Sequence, residues 1–276
     1  MEKKFTVRTL QEMKRRGEKA VMLTAFDAAT ARWAQEAGVH MLLVGDSMGN
    51  TVLGYSNTIP VTLEESISHT AAVRRGSDKC FVVGDMPFLS YQVEDLAGSV
   101  RNAGRYIKEC GADAVKLEGG RPMLPVIRRM IETGIPVVGH IGLLPQSVLK
   151  DGGYRIHGKA QEERDALIAD AQALDEAGCC AIVLEGVPRE LAAEITSLVK
   201  ASTIGIGAGP GTDAQVQVLA DLLGYGGDGY LPRHAKSYAN VNGIAVGAIR
   251  EYVSEVQQGV FPADSNSVSC APRKED

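Results

Sequence analysis

Seven times along this chain a short run rich in Val, Ile and Leu is followed by a stretch with helical periodicity. The runs cover residues 20–26, 40–45, 80–85, 114–118, 136–140, 181–185 and 203–207. They do not alternate with polar residues, which is the pattern of strands covered on both faces. Between them, Asp27 is placed to cap a helix that ends at Ala37-Gly38. Thr62 and Glu65 form a capping-box pattern opening a helix that stops before Gly76. Further helical patterns cover 93–110, 123–132, 162–177, 189–200 and 213–223. Ala-Gly or Cys-Gly pairs (Ala37-Gly38, Cys110-Gly111, Ala177-Gly178) close three of these helices, the glycine supplying a left-handed cap. An eighth strand is expected at 228–231, where the signal is weak, with a last helix at 244–257.

Strict βα alternation implies a parallel sheet, either closed or open and doubly wound. Eight units within about 250 residues favour a (β/α)8 TIM barrel. Residues 1–19 read as an extra N-terminal helix. The chain is expected to be one barrel domain over 1–262 with a mobile tail over 263–276.

The charge balance is 29 Lys plus Arg against 34 Asp plus Glu, a net −5, which argues against a nucleic-acid binder. No apolar run approaches the roughly 20 residues that span a bilayer, and the start of the chain has no signal-peptide stretch. A cytoplasmic location, away from membranes, is expected. The five cysteines (Cys80, Cys110, Cys179, Cys180, Cys270) are odd in number and contain no C-x-x-C pair, so they read as reduced, mostly buried thiols.

The chemistry is concentrated where the runs end. Strand two ends at Asp46 and Ser47, strand three at Asp85, strand four carries Lys116 and Glu118, strand five ends at His140, and strand six at Glu185. In a (β/α)8 barrel these ends converge on one mouth, where the active site lies. A single Asp after a strand is ordinarily a helix cap, and a single buried His ordinarily a structural one. Five consecutive strand ends bearing ionisable groups is a different matter. Four carboxylates in one mouth raise one another's pKa unless a counter-charge is present. Oxygen donors without thiolates point to Mg²⁺ or Mn²⁺ rather than zinc. Lys116 and Glu118 share a strand face, as site neighbours or as an inward ion pair. His40, His69, His157 and His234 lack such a context and read as structural. The glycine-rich stretch 205–211 matches no phosphate-loop spacing and reads as a tight turn lining the mouth. The loop 150–158 is either a lid or an exposed connection.

At these residues the chain resembles ketopantoate hydroxymethyltransferases. The resemblance rests on V-G-D-S-M-G (44–49), T-I-P-V-T (58–62), H-T-A-A-V-R-R-G (69–76), D-M-P-F (85–88) and V-K-L-E-G-G (115–120). It continues through G-H-I-G-L-L-P-Q-S (139–147), G-G-Y (152–154), L-E-G-V-P (184–188) and G-I-G-A-G (205–209), and covers about 24–262. Departures fall at Phe26, Gly186, 209–211 and 231–234.

The resemblance implies a TIM barrel with one bound Mg²⁺ and a role in pantothenate synthesis. The implied reaction passes a hydroxymethyl group from 5,10-methylenetetrahydrofolate, as cosubstrate, to 3-methyl-2-oxobutanoate through a Mg²⁺-stabilised enolate, giving 2-dehydropantoate. By motif, Asp46 and Asp85 are implied metal ligands that also face the substrate, and Glu118 completes the metal shell directly or through water. Ser47 and Lys116 are implied contacts to the keto acid, and Glu185 is the implied catalytic base with His140 beside it. A homo-oligomer, typically a decamer, is also implied. Two other readings remain: a Mg²⁺-dependent carbon–carbon lyase of a small 2-oxo or 2-hydroxy acid, and a non-catalytic metabolite-binding barrel.

Overall fold

In a computed structural model, which describes residues 3–226 and 231–268, the apolar runs pair side by side in chain order. The strands are β1 (Ala20–Thr24), β2 (Met41–Val44), β3 (Phe81–Asp85), β4 (Ala114–Glu118), β5 (Val137–Gly142), β6 (Ala181–Glu185), β7 (Ser202–Ile206) and β8 (Ala214–Gln217). All neighbours are parallel, and β8 returns to β1 through Ala20↔Ala214 and Met22↔Val216, closing the barrel.

The helices are α1 (Val7–Arg16), α2 (Ala28–Glu36), α3 (Met48–Thr51), α4 (Leu63–Gly76), α5 (Leu96–Cys110) and α6 (Leu124–Glu132). They continue with α7 (Val148–Asp151), α8 (Gln161–Glu176), α9 (Arg189–Leu198), α10 (Leu219–Leu223) and α11 (Val241–Gln258). Asp27 caps α2 by accepting from the Ala29 and Thr30 amides, and Thr62 and Glu65 form the expected capping box on α4. Gly111 caps α5 in the left-handed conformation. Among the described residues, no helix is long and apolar enough to cross a membrane.

The core has two layers. Inside the barrel, Met22, Met41, Leu43, Phe81, Val83, Val138, Val183 and Ile204 fill the interior, and Phe5, Leu10 and Met13 of the N-terminal segment join the same cluster. The extra helix predicted at the N-terminus is therefore α1, and it stoppers the far end of the barrel. Lys14 fastens it there, donating to the Ala201 carbonyl at 2.8 Å and pairing with Asp213 at 2.9 Å. Outside the barrel, Tyr106, Leu117, Ile127, Met130, Leu174 and Ile182 pack between strands and helices. Gly84 is needed at this layer, because a Cβ there would lie 2.2 Å from Tyr106 Cδ1.

One strand lies elsewhere than expected. The eighth is Ala214–Gln217, within the stretch read as a helix over 213–223. Its four residues alternate, with Ala214 and Val216 buried and Gln215 exposed, and the chain turns directly into α10. The predicted 228–231 strand lies outside the described residues except for Leu231, which is in no strand. The last helix is present at Val241–Gln258 but buries none of its residues. Correspondingly, the outward-facing pair Val21 and Gln215 on β1 and β8 is left exposed. Of the expected tail, Asp264–Asn266 forms a 3-10 turn, and 269–276 lies outside the described residues.

Candidate active site

Parallel closure brings the ends of β2 to β6 onto one rim, and the register sets their side chains at one level. Asp85 pairs with Lys116 across β3 and β4, and Glu118 with His140 across β4 and β5. Asp46 follows β2 by two residues, Ser47 opens α3, and Glu185 ends β6. All seven predicted site residues line one small chamber of about 90 Å³. Asp46, Asp85, Lys116, Glu118 and His140 are each at most 5% exposed, whereas Ser47 and Glu185 are only partly buried.

Lys116 Nζ stands 2.8 Å from Asp85 Oδ1 and 3.3 Å from His140 Nδ1. The Asp46 amide donates to Asp85 Oδ2 at 3.3 Å. His140 lies between two carboxylates, with Nδ1 3.6 Å from Glu118 Oε1 and Nε2 3.2 Å from Glu185 Oε2. Both are ionic contacts lacking hydrogen-bond alignment, since Glu118 Oε1 and His140 Nε2 are buried without a hydrogen-bond partner.

The charges do not balance. Burial, then the nearby Asp85 and Glu118 carboxylates, push Asp46 up to about 8 against the pull of Lys116. Burial likewise raises Asp85, although Lys116 opposes it. For Lys116, burial is outweighed by Asp85, Glu118 and Asp46, and its pKa rises. For His140, burial and Lys116 oppose the charged form, but Glu118 and Glu185 outweigh them and hold it at about 9. An excess of buried carboxylate oxygens, two of them (Asp85 Oδ1 and Glu118 Oε1) without a hydrogen-bond partner, is a donor set suited to a hard divalent cation. Among the described residues, no three His, Cys, Asp or Glu side chains are gathered as a ready-made metal cage. Lys116 faces one Asp85 oxygen, while Gln146 bonds one oxygen each of Asp46 and Glu118.

Gln146 and its partner Tyr91 were not singled out by the sequence reading. Gln146 lies in the one-turn 3-10 segment Pro145–Ser147 after β5, inside a quoted motif, but a Gln has no chemical signal of its own. The chamber opens into a cavity of about 950 Å³, whose wall includes Tyr154, Arg155, Ile156, Arg233 and His234. The 150–158 loop therefore contributes to the site wall, and His234, read as structural, stands on the cavity rim. His40 and His69 are tied to the backbone, as expected of structural histidines. The 205–211 turn lines the mouth through Ile206, and its glycines admit α9 closely: a Cβ on Gly209 would lie 2.4 Å from that of Arg189. Cys80, Cys110, Cys179 and Cys180 are free and buried, and Cys270 lies outside the described residues.

The chain is 52% identical over 262 residues to a protein of Thermotoga neapolitana named 3-methyl-2-oxobutanoate hydroxymethyltransferase, covering 95% of this chain and 96% of that one. It is 51% identical over 269 residues to a protein of the same name from Syntrophotalea carbinolica, covering 98% and 100%. Among solved structures, a phosphonopyruvate hydrolase complexed with oxalate and Mg²⁺ superposes with a TM-score of 0.60 at 12% identity, covering 96% of this chain and 92% of that one. A 2,3-dimethylmalate lyase superposes with a TM-score of 0.57 at 17% identity, covering 96% and 91%. These two likenesses concern the fold. The sequence profile of ketopantoate hydroxymethyltransferase matches residues 4–264, and the chain belongs to that family of hydroxymethyl-transferring enzymes.

Proposed function

We propose that this chain places a hydroxymethyl group on carbon 3 of 3-methyl-2-oxobutanoate, its carbon drawn from 5,10-methylenetetrahydrofolate and its hydroxyl from water, giving 2-dehydropantoate and tetrahydrofolate, with one Mg²⁺ as its cation. The observation that carries this reading is the nesting of two spaces, a charged chamber of about 90 Å³ at the base of a cavity of about 950 Å³. The inner one suits the head of a small keto acid. The outer one is of the size that takes drug-sized ligands, as a pterin donor requires.

Asp46, Asp85 and Glu118 hold the cation in this reading. When bound, Mg²⁺ supplies the positive charge of a Lewis acid next to the keto group. Lys116 and Ser47 receive the carboxylate end of the keto acid. Lys116 keeps its proton, so it adds positive charge where an oxyanion develops. Glu185 stands at the junction of the two spaces, lining both. It takes the proton from carbon 3, a transfer that needs a base within hydrogen-bond reach or one water away. His140 is held in its charged form and orients Glu185 through the 3.2 Å contact. The apolar barrel interior beneath the chamber keeps bulk water from its floor.

Assembly is part of the same reading. Helix α11 exposes Ile244, Ile249, Tyr252, Val253 and Val256, and on the barrel the outward Val21 of β1 and Gln215 of β8 are bare. Both suit burial against further copies of the chain, and a decamer is the proposed assembly. The free thiols suit a reducing cytoplasm.

The test is product formation. With 3-methyl-2-oxobutanoate, 5,10-methylenetetrahydrofolate and Mg²⁺ the chain should form 2-dehydropantoate, and omission of any one should stop it. Carbon–carbon cleavage of a 2-oxo acid in the absence of folate would overturn the reading in favour of a lyase.

A further inference from the structure

A second layer of polar groups lies behind the carboxylates, and no step above uses it. Gln146 is 6% exposed and spends its polar atoms on the site. Its Nε2 donates to Asp46 Oδ2 at 2.9 Å and to the Met86 carbonyl at 3.0 Å. Its backbone N–H donates to Glu118 Oε2 at 3.0 Å. Its Oε1 accepts from the Tyr91 hydroxyl at 2.7 Å, and the Tyr91 oxygen accepts from the Glu118 backbone N–H at 3.1 Å.

The direction of this chain is fixed by chemistry. The Glu118 N–H can only donate, so the Tyr91 oxygen accepts there and its proton is free for Gln146 Oε1. Turning the amide over would set Oε1 against Asp46 Oδ2 and the Met86 carbonyl, two acceptors facing an acceptor. It would also sacrifice both donated bonds. Tyr91 thus fixes which end of the Gln146 amide meets Asp46. In a buried setting the loss of such hydrogen bonds leaves unsatisfied polar groups.

We infer that Gln146 is a positioning residue that holds Asp46 and Glu118 in the arrangement that receives a divalent cation, with Tyr91 as the lock on its amide. The inference rests on the reading that these two carboxylates bind the cation. It ties three strand ends, at Asp46, Met86 and Glu118, to the loop after β5. Partners that orient metal ligands in this way are commonly worth 10–100-fold in metal affinity.

The test is titration of the metal-free full-length chain with Mn²⁺, followed by the resonance signal of the free ion, with no substrate and no turnover. Gln146→Met keeps length, apolar bulk and the backbone N–H to Glu118 but loses both side-chain donations, to Asp46 and Met86, and should weaken Mn²⁺ binding by about 10–100-fold. Gln146→Glu keeps the shape and should show a loss of the same order. Tyr91→Phe should weaken binding by less, and should add nothing further in a Gln146→Met background, since both act through one chain of bonds. A merely structural role would lower the thermal midpoint of Gln146→Met and leave its Mn²⁺ affinity unmoved, which overturns the inference. Additive losses from Tyr91→Phe and Gln146→Met would overturn the lock. If Gln146→Met does not fold, Gln146→Glu and Tyr91→Phe carry the same test, and unchanged affinity in both overturns the inference. Asp46→Asn separates the two levels. Unchanged affinity there removes the cation reading itself, whereas a large loss there with none in the Gln146 variants removes only the positioning role.

Discussion

His140 Nε2 and Glu185 Oε2 stand 3.2 Å apart, the imidazole fully inside the chamber and the carboxylate partly open to the wider cavity. In the proposed reaction the pair would divide the labour of proton transfer. An imidazole held at about 9 carries its proton at neutral pH and cannot accept another, so the carboxylate is left as the base.

That division has a measurable outcome. In D₂O with Mg²⁺ and 3-methyl-2-oxobutanoate alone, the wild-type chain should exchange deuterium into carbon 3, seen by proton NMR as loss of the methine signal. Glu185→Gln should slow this by roughly 10²–10⁴-fold, the usual worth of a placed general base. His140→Asn should slow it less. Exchange at the wild-type rate in Glu185→Gln together with loss in His140→Asn would reverse the two roles.

Asp46 ties cation binding to pH. Its carboxyl is pushed up to about 8, so at neutral pH the metal-free chain holds a proton that a bound cation must displace. Mg²⁺ affinity should therefore rise with pH up to about 8, with about one proton released per ion. Calorimetry in buffers of differing ionisation heat reads that proton directly. Linkage gives the stability counterpart. Between the unfolded value near 4 and the folded value of about 8, the native chain binds more protons than the unfolded one. Stability of the metal-free chain should then fall as pH rises through this window, and Asp46→Asn should flatten the decline. A metal-free thermal midpoint that climbs from pH 5 to pH 8 would contradict the assignment.

Most of the barrel was legible in the sequence because β2 to β7 are buried on both faces and so read as unbroken apolar runs, and the one exposed residue of β1, Val21, is itself apolar. The eighth was not. Ala214–Gln217 has only two inward residues, and its outward Gln215 lies on an exposed face, so an apolar run never forms. The candidate site was legible for a related reason: strand ends converge whatever the loops do, and Asp46, Asp85, Lys116, Glu118, His140 and Glu185 all lie at strand ends. Gln146 and Tyr91 come from loops and meet Asp46 and Glu118 only through folding across long sequence separations, for which local periodicity has no signal. The same limit applies to α11, whose pattern predicts a helix but not the surface it seeks.

The back of the site should be sensitive to a single methyl. Gly84→Ala would place a Cβ against the ring of Tyr106, whose hydroxyl lies 3.0 Å from the Asp85 carbonyl and 2.8 Å from Ser66 Oγ. Overpacking of this kind costs roughly 1–3 kcal/mol. A lowered thermal midpoint and weaker Mg²⁺ binding are expected together, because the displaced ring pushes on the strand that carries Asp85. Unchanged values for both would mean that the ring yields freely.

Assembly should depend on α11. Ile249, Val253 and Val256 are spaced to share one face of the helix and are exposed. Light scattering of the wild-type chain should give many times the 29.3 kDa chain mass, and Ile249→Asp with Val253→Asp should reduce it sharply. A variant of undiminished mass would place the contacts elsewhere.

The stoppering of the barrel by Phe5, Leu10 and Met13 has a kinetic consequence. Among the described residues, packed side chains fill the barrel below the chamber, and the chamber meets the wider cavity where Asp46, Ser47, Glu185 and Ile206 line both. In the proposed reaction the keto acid would then be seated before the folate fills the vestibule, and its product would leave only after the folate has gone: first in, last out, with the bulky partner as the cork.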